Sequence, residues 1–334
     1  MDFLEKLKFF YRFSSGILLK KKFPLLVGWN LTYRCNLQCK YCGWWENKAL
    51  ELDSKKVGEL IKELSYLGTK VISFGGGESC LRKDLGEIID ICKSKKIYVG
   101  ISSNGILAKE KIKDIQKADI VKFSLDGPAE TNDLIRGQGV HDKVIEAVEL
   151  CKKKRVKVAI NSVISKYTNI SDIVYLFRVA KKYNIEIYFN PVDSDYSGSS
   201  NKDISAHLPN QNYFKKIIKF LIKEKVKGNI FIGNSISGLQ YIYNWPNAKK
   251  IKCLVSNFFC SISPDGKIFI CDNFPHYQKY LISIENNFKD SFYKLKLPYS
   301  CNRCWNASML EFNLLSSFSP RILLDLGKKF RRRL

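Results

Sequence analysis

The sequence predicts an α/β fold: a partial barrel of parallel strands with helices packed outside. Three observations predict it. From Phe23 to about Val192, strand-like and helix-like segments alternate six times, the pattern of right-handed βαβ units around a parallel sheet. Six units are too few for a closed eight-stranded barrel. Loops rich in cysteine, glycine or asparagine follow the strand ends, where α/β folds place their chemistry.

The chain has 334 residues, 45% of them hydrophobic, which suits one large domain and a small one. No apolar run reaches the roughly 18 residues of a membrane span, and no secretory signal is evident at the N-terminus. Eleven cysteines make an odd number for a disulfide framework and point to a reducing, cytoplasmic setting with metal chemistry. Lys and Arg number 56 against 32 Asp and Glu, a net charge of +24. Such a field draws polyanions; the plain alternative is a lysine-rich chain with solvated surfaces.

Residues 1–22 read as an amphipathic basic helix, with Phe3, Leu4, Leu7, Phe10 and Tyr11 at helical spacing and Lys20, Lys21 and Lys22 after it. It suits either a helix packed on the barrel or a peripheral anchor on an anionic membrane surface. The barrel is expected over 23–195. Strands are predicted at 25–31, 71–75, 97–102, 120–125, 156–163 and 186–191, and helices at 53–67, 84–95, 107–117, 141–154 and 170–183. A polar stretch from Asp193 to Lys202 closes this part. A helical connection (196–250) with helices at 211–226 and 235–245 follows, then a cysteine-bearing segment (251–307), then an apolar and finally polybasic tail (308–334). That tail suits a docked helix with a solvated end, or again an anionic membrane.

The first strand leads into Cys35, Cys39 and Cys42, spaced C-x3-C-x2-C. Three thiolates on one loop can each hold one iron of a cubane and leave the fourth iron open. Zinc is the competing metal, although its sites usually pair two C-x2-C knuckles or add histidine. The second strand ends in Gly75, Gly76, Gly77 and Glu78, the third in Ser102, Ser103, Asn104 and Gly105, and the fourth in Ser124, Leu125, Asp126 and Gly127. Consecutive glycines let a ligand approach the backbone closely, and Glu78 offers an acceptor to an ammonium group.

The cysteine spacing, with Tyr41 beside the last cysteine, resembles the signature of the radical S-adenosylmethionine (SAM) superfamily. The resemblance implies a (β/α)6 partial barrel and a 4Fe-4S cluster on Cys35, Cys39 and Cys42. The open iron would chelate the amino and carboxylate groups of SAM. One electron from an external donor would cleave SAM to a 5′-deoxyadenosyl radical that abstracts a substrate hydrogen. By position, the resemblance places Gly76, Gly77 and Glu78 at the SAM amino group, Ser124 at the ribose, and Asn161 and Val163 at the adenine. Tyr41, Ser103, Asn104 and Asp126 join them as expected cofactor contacts. Arg136, after Asp126 in a pattern similar to peptide-modifying members, is expected to pair with a carboxylate, that of SAM being one candidate.

Cys253, Gly266 and Cys271, spaced C-x12-G-x4-C, with Cys301 and Cys304 as a C-x2-C pair, resemble the twitch form of the SPASM auxiliary-cluster domain. One auxiliary 4Fe-4S cluster is therefore expected, two clusters in all. Its fourth ligand is Cys253 or Cys260. A hairpin turning at Pro264, Asp265 and Gly266 sets Cys260 nearly opposite Cys271. The motif spacing favours Cys253, and strand alternation makes Cys260 a packed apolar residue. Cys92, Cys151 and Cys80 read as small core residues.

The resemblance implies an enzyme acting on a peptide; a lipid or lipid-linked substrate is the alternative that the basic ends suggest. A non-enzymatic zinc-binding nucleic-acid module is the competing class. No C2H2 or RNA-recognition signature appears, so nucleic acid is not an expected partner.

Overall fold

The computed structural model describes residues 3–192 and 204–315, apart from 249, 275, 298–300 and 302. The polar stretch after Val192 and the tail from 316, including the polybasic end, lie outside the described residues, as do the side chains of Phe3 and Leu4. In chain order the elements are α1 (Phe3–Leu18), β1 (Leu26–Thr32), α2 (Ser54–Leu67), β2 (Val71–Gly76), α3 (Leu85–Ser94), β3 (Tyr98–Ser103), α4 (Ile112–Ile115), β4 (Ile120–Ser124), α5 (Ala129–Arg136) and α6 (Val140–Lys153). They continue with β5 (Val158–Ile164), α7 (Ile170–Tyr183), β6 (Glu186–Pro191), α8 (Gln211–Val226), α9 (Ile236–Ile242), β7 (Phe259–Ile262), β8 (Ile268–Phe269), α10 (Phe288–Lys294) and α11 (Ala307–Leu315).

One eight-stranded sheet runs β6-β5-β4-β3-β2-β1-β7-β8. The first six strands pair in parallel with their neighbours. All six predicted strands form, within two residues at each end, and the fold is the partial barrel. The strand faces divide as alternation requires. Val121, Phe123, Ile160, Ile187 and Phe189 are sealed against the outer helices. The other face carries Ser73, Gly75, Gly100, Ser102, Lys122, Ser124, Asn161, Tyr188 and Asn190, which line a cavity of about 550 Å³. These strands thus bring small and polar side chains to a cavity that apolar residues such as Trp29, Phe74, Trp305 and Phe312 also line.

Local signals fix the helix ends. Asp53 caps α2 by accepting from Lys56 N, and Gly68 ends it at φ +99°, a conformation glycine takes without a Cβ penalty. Asn169 and Asp172 form a capping box on α7. Two segments depart from the expectation. The helix predicted over 107–117 is α only at Ile112–Ile115, within a run of turns. Helix α5 was not foreseen, because its stretch has too few apolar residues for a helical stripe.

The expected hairpin forms as β7 and β8, and β7 pairs in parallel with β1, Leu26 opposite Phe259 and Trp29 opposite Ile262. The hairpin therefore continues the barrel sheet instead of standing apart. On the open side, α11 bridges the gap. Ala307 N donates to Asn190 Oδ1 on β6 (2.7 Å), Leu254 N donates to Asn313 Oδ1 (2.9 Å), and Phe312 packs on Phe13 of α1 (5.3 Å). Leu310 and Phe312 are buried, so the described part of the apolar tail packs into the core. The face α1 buries also differs from the one its spacing suggested. Phe13 is the buried residue, whereas Leu7 and Tyr11 are exposed. Packing against Phe258 and Phe312 decides the helix rotation. Among the described residues, no helix is long and apolar enough to cross a membrane.

Candidate active site

The cysteine loop leaves the C-terminal end of β1 and lies over the mouth of the barrel cavity. Cys35, Cys39 and Cys42 all line that cavity, and no described cysteine is in a disulfide. Burial pushes the Cys35 thiol up to about 11 and Cys42 up to about 12, and raises Cys39 as well. In the metal-free protein these thiols stay protonated, so iron must displace protons to bind. Among the described residues, no three His, Cys, Asp or Glu side chains are gathered for a single metal ion. A cubane asks for something else, one thiolate on each of three irons, and three thiols outside any disulfide, facing one cavity, fit that demand.

The loop is held from two sides. On one side, Asp126 of the β4–α5 turn, fully buried, is the hub. Its Oδ2 accepts from Tyr41 Oη (2.6 Å) and from Arg136 Nε (2.8 Å), while Oδ1 accepts from Val163 N (2.8 Å). Arg136 Nη2 donates to Tyr41 Oη (2.5 Å), and Nη1 stands 3.9 Å from Cys39 Sγ. The guanidinium works against the burial that raises the Cys39 thiol and favours its thiolate. Within the protein, the carboxylate that Arg136 meets is Asp126. Tyr41 is likewise a buried strut, and Val163 takes part through its backbone.

On the other side, Glu78 is 1% exposed. Its Oε1 accepts from Cys80 N (3.0 Å) and its Oε2 from Asn104 N (2.6 Å). Burial raises its carboxyl, and these amides oppose the rise. Glu78 thus binds the loop after β2 to the loop after β3. Asn104 extends the link: Nδ2 donates to Asn36 Oδ1 (2.7 Å) and lies 3.9 Å from Cys35 Sγ. Ser103 Oγ accepts from Gly105 N (3.1 Å).

The glycines answer to the cysteine loop more than to open space. A Cβ on Gly77 would sit 2.1 Å from the Arg34 carbonyl oxygen, and one on Gly76, at φ +95°, 2.5 Å from that of Thr32. Gly77 N donates to Thr32 O (2.8 Å) and Glu78 N to Arg34 O (2.9 Å). Only Gly75 has room, its nearest neighbour being Asn30 Oδ1 at 3.9 Å. Ser124 and Asn161 are paired across β4 and β5 and face the cavity.

Four further cysteines come together near the α11 end of the cavity. The buried Cys271 thiol is pushed up by burial and further by Cys253, Cys304 and Cys301 around it. Asn313 Nδ2 lies 3.3 Å from Cys304 Sγ and 4.0 Å from Cys253 Sγ. Cys260 points elsewhere. It is fully buried on β7 opposite Val27, and among the described residues Lys22 is the charged group that acts on it. Cys92 and Cys151 are core residues, and Cys80 is buried beside Ser103.

Sequence reasoning missed Asp272, Asn30 and Asn313. Asn30 Nδ2 donates to Asp272 Oδ1 (2.9 Å), both residues line the cavity, and burial pushes the Asp272 carboxyl up to about 6. Its one signal in the chain was its place directly after Cys271.

The fold is an α/β partial barrel, with three thiols gathered at its strand ends. Residues 29–180 match the model of the Radical SAM superfamily. The chain is 34% identical over 199 residues to Fe-coproporphyrin III synthase of Methanosarcina barkeri, covering 57% of this chain and 48% of that protein. It is 26% identical over 299 residues to mycofactocin maturase MftC of Mycolicibacterium smegmatis, covering 84% and 74%. It is 24% identical over 304 residues to the PqqA peptide cyclase of Gluconobacter oxydans, covering 84% and 82%. The chain thus spans about half the length of the first of these relatives and about three quarters or more of the other two. Among solved structures it resembles Streptococcus suis SuiB bound to S-adenosylmethionine, with TM-score 0.66, 16% identity, and 85% and 69% of the two chains covered. It also resembles anSMEcpe with AdoMet and the Cp18Cys peptide bound, with TM-score 0.61, 20% identity and 80% of each chain covered. At these identities the likeness is one of fold. Over residues 29–180, a little under half of the chain, it carries the radical SAM domain, and the relatives it is similar to are enzymes.

Proposed function

We propose that the chain is a radical SAM enzyme that modifies a peptide. Cys35, Cys39 and Cys42 hold a 4Fe-4S cluster, and Cys253, Cys271, Cys301 and Cys304 hold an auxiliary one. The bound cluster and SAM supply the chemistry, reductive cleavage of SAM to a 5′-deoxyadenosyl radical that abstracts a substrate hydrogen.

The protein's part is positioning and exclusion of water. Arg136 sets a positive charge beside Cys39 and fixes the loop through Asp126 and Tyr41. Glu78 and Asn104 fix the other side of the loop. Gly75, Ser124 and Asn161 line the cavity in which SAM would lie. The single observation that carries this reading is the convergence of Cys35, Cys39 and Cys42, none of them in a disulfide, on a cavity at the C-terminal ends of parallel strands. A peptide is the substrate class because mycofactocin maturase and the PqqA peptide cyclase cover most of this chain.

Anaerobic reconstitution tests the reading. The wild-type chain should bind about eight irons, four per cubane, and convert SAM to 5′-deoxyadenosine with dithionite. Replacing Cys35, Cys39 and Cys42 together by alanine should leave about four irons and no cleavage. Zinc instead of iron, or cleavage surviving the triple change, refutes it.

A further inference from the structure

Helix α1 carries apolar side chains on two opposite faces. Its inner face packs at the end of the barrel where the strands begin. Phe13 lies against Phe258 and Phe312, Arg12 Nη1 donates to Gly68 O (3.3 Å), and Lys70, just before β2, reaches Glu5 (3.2 Å). At 3.6 residues per turn, Leu7, Tyr11 and Leu18 fall within about 40° of one another, on the side away from Phe13. They are 49%, 76% and 77% exposed, and Leu19, just past the helix, is 62% exposed. A surface helix ordinarily turns polar residues to that side. Apolar residues exposed singly need no explanation, whereas several on one helix face mark an interaction surface. Tyr66, also exposed, stands two residues before the Gly68 that Arg12 holds.

The same end of the barrel is strongly basic. The turns that lead into β3 and β5 leave Lys95, Lys96, Lys152, Lys153, Lys154 and Arg155 exposed, and Lys20 and Lys21 after α1 are exposed too. Asp119 and Glu149, acids at this end, pair with Lys93 (2.6 Å) and Lys182 (3.4 Å). The dipole of α6 favours cations in its last turn, but Lys154 and Arg155 lie beyond that helix. The cysteine end mixes both signs, with Glu46, Asp53 and Glu130 among Lys40 and Lys83.

We infer that the strand-start end of the barrel docks on an anionic phospholipid bilayer, with α1 lying in the interface. Leu7, Tyr11 and Leu18 enter the headgroup layer, as the apolar face of an interfacial helix does. The basic turns ride on the lipid phosphates, whose attraction for Lys and Arg falls off within a Debye length. A nucleic acid would engage the same lysines but leave Leu7, Leu18 and Leu19 in water, so the apolar stripe favours the bilayer. In this orientation the cysteine loop and the mouth of the cavity face away from the lipid and stay open to a substrate from solution. The docking does not depend on which substrate that is.

The test floats the reconstituted full-length chain with vesicles of phosphatidylcholine carrying about 30% phosphatidylglycerol, at about 150 mM salt. With a net charge of +24, any surface of this protein adsorbs to anionic lipid to some degree, so the readout is the difference between variants of equal charge. Leu7→Ser, Tyr11→Ser and Leu18→Ser together should lower the partition coefficient at least about tenfold. Lys152→Gln, Lys153→Gln and Lys154→Gln together should lower it as well, and vesicles of phosphatidylcholine alone should bind little wild type. In Tyr11→Trp, brominated lipid should quench more fluorescence than it does in wild type. Thermal unfolding and iron content verify that each variant is folded. A wild type that stays unbound overturns the inference. So does a serine variant that floats like wild type, which would make the face a general polyanion surface suited to nucleic acid. A wild type that is dimeric by light scattering, where the serine variant is monomeric, assigns the stripe to a second copy of the chain and also overturns it. Dithionite-driven cleavage of SAM should be equal in wild type and the serine variant. Its absence in both defeats the radical SAM reading and leaves the docking face untouched.

Discussion

Arg136 Nε donates to Asp126 Oδ2 at 2.8 Å, with Asp126 fully buried and Arg136 7% exposed. The pair braces the cysteine loop from behind, since Tyr41 bonds to both members and Arg136 reaches Cys39. Removing one partner of such a pair strands the other charge in the interior. Arg136→Met should cost about 3–5 kcal/mol and lower iron retention at the first cluster. Arg136→Lys keeps the charge but loses the fork and should fall between. Chemical denaturation of the iron-free chain and iron counts of the reconstituted one would reveal either change, and wild-type stability in Arg136→Met would show the pair to be dispensable.

The glycines of the β2 loop should separate by role. Gly77→Ala drives a Cβ to 2.1 Å from a backbone oxygen, so the cysteine loop must move. We expect a loss of more than about 2 kcal/mol and poor iron loading. Gly75→Ala meets nothing closer than 3.9 Å and should fold and load iron like wild type. Equal behaviour of the two variants, by melting temperature and iron content, would contradict the packing described.

Asp272 predicts a pH dependence. Burial raises its carboxyl from 3.8 to about 6. A raised value means that the protonated form is the one the fold favours. Its contribution is complete below the unfolded value and is lost as pH rises through about 6. Asp272→Asn should therefore stabilise the iron-free chain at pH 8, by up to about 3 kcal/mol, and match wild type below pH 4. Denaturant titrations at both pH values check the sign.

The auxiliary ligands should divide at Cys253. Cys253 acts on Cys271 and Cys304 and lies near Asn313, whereas Cys260 lies sealed in β7. Cys253→Ala should lose about four irons and the matching absorbance. Cys260→Ala should keep them and show only a small packing loss. The reverse pattern would make Cys260 the ligand.

Much of this protein is determined by its sequence alone. Hydrophobic period, glycine and asparagine at the turns, and the short covalent spacing of Cys35, Cys39 and Cys42 are local properties, and local properties survive without knowledge of the fold. They yield six strands, their order along the chain and the loop that carries the thiols. Tertiary structure decided the partners. Arg136 meets Asp126 where Tyr41, 85 residues away from Asp126, is brought to the same buried point. Gly76 and Gly77 are glycines because another loop lies on them. The face of α1 that is buried depends on Phe258 and Phe312, far along the chain. Cys253 is set apart from Cys260 by the parallel pairing of β7 with β1. Each of these is a choice among chemically equivalent partners, and packing makes that choice by burying one set of side chains together and closing water out.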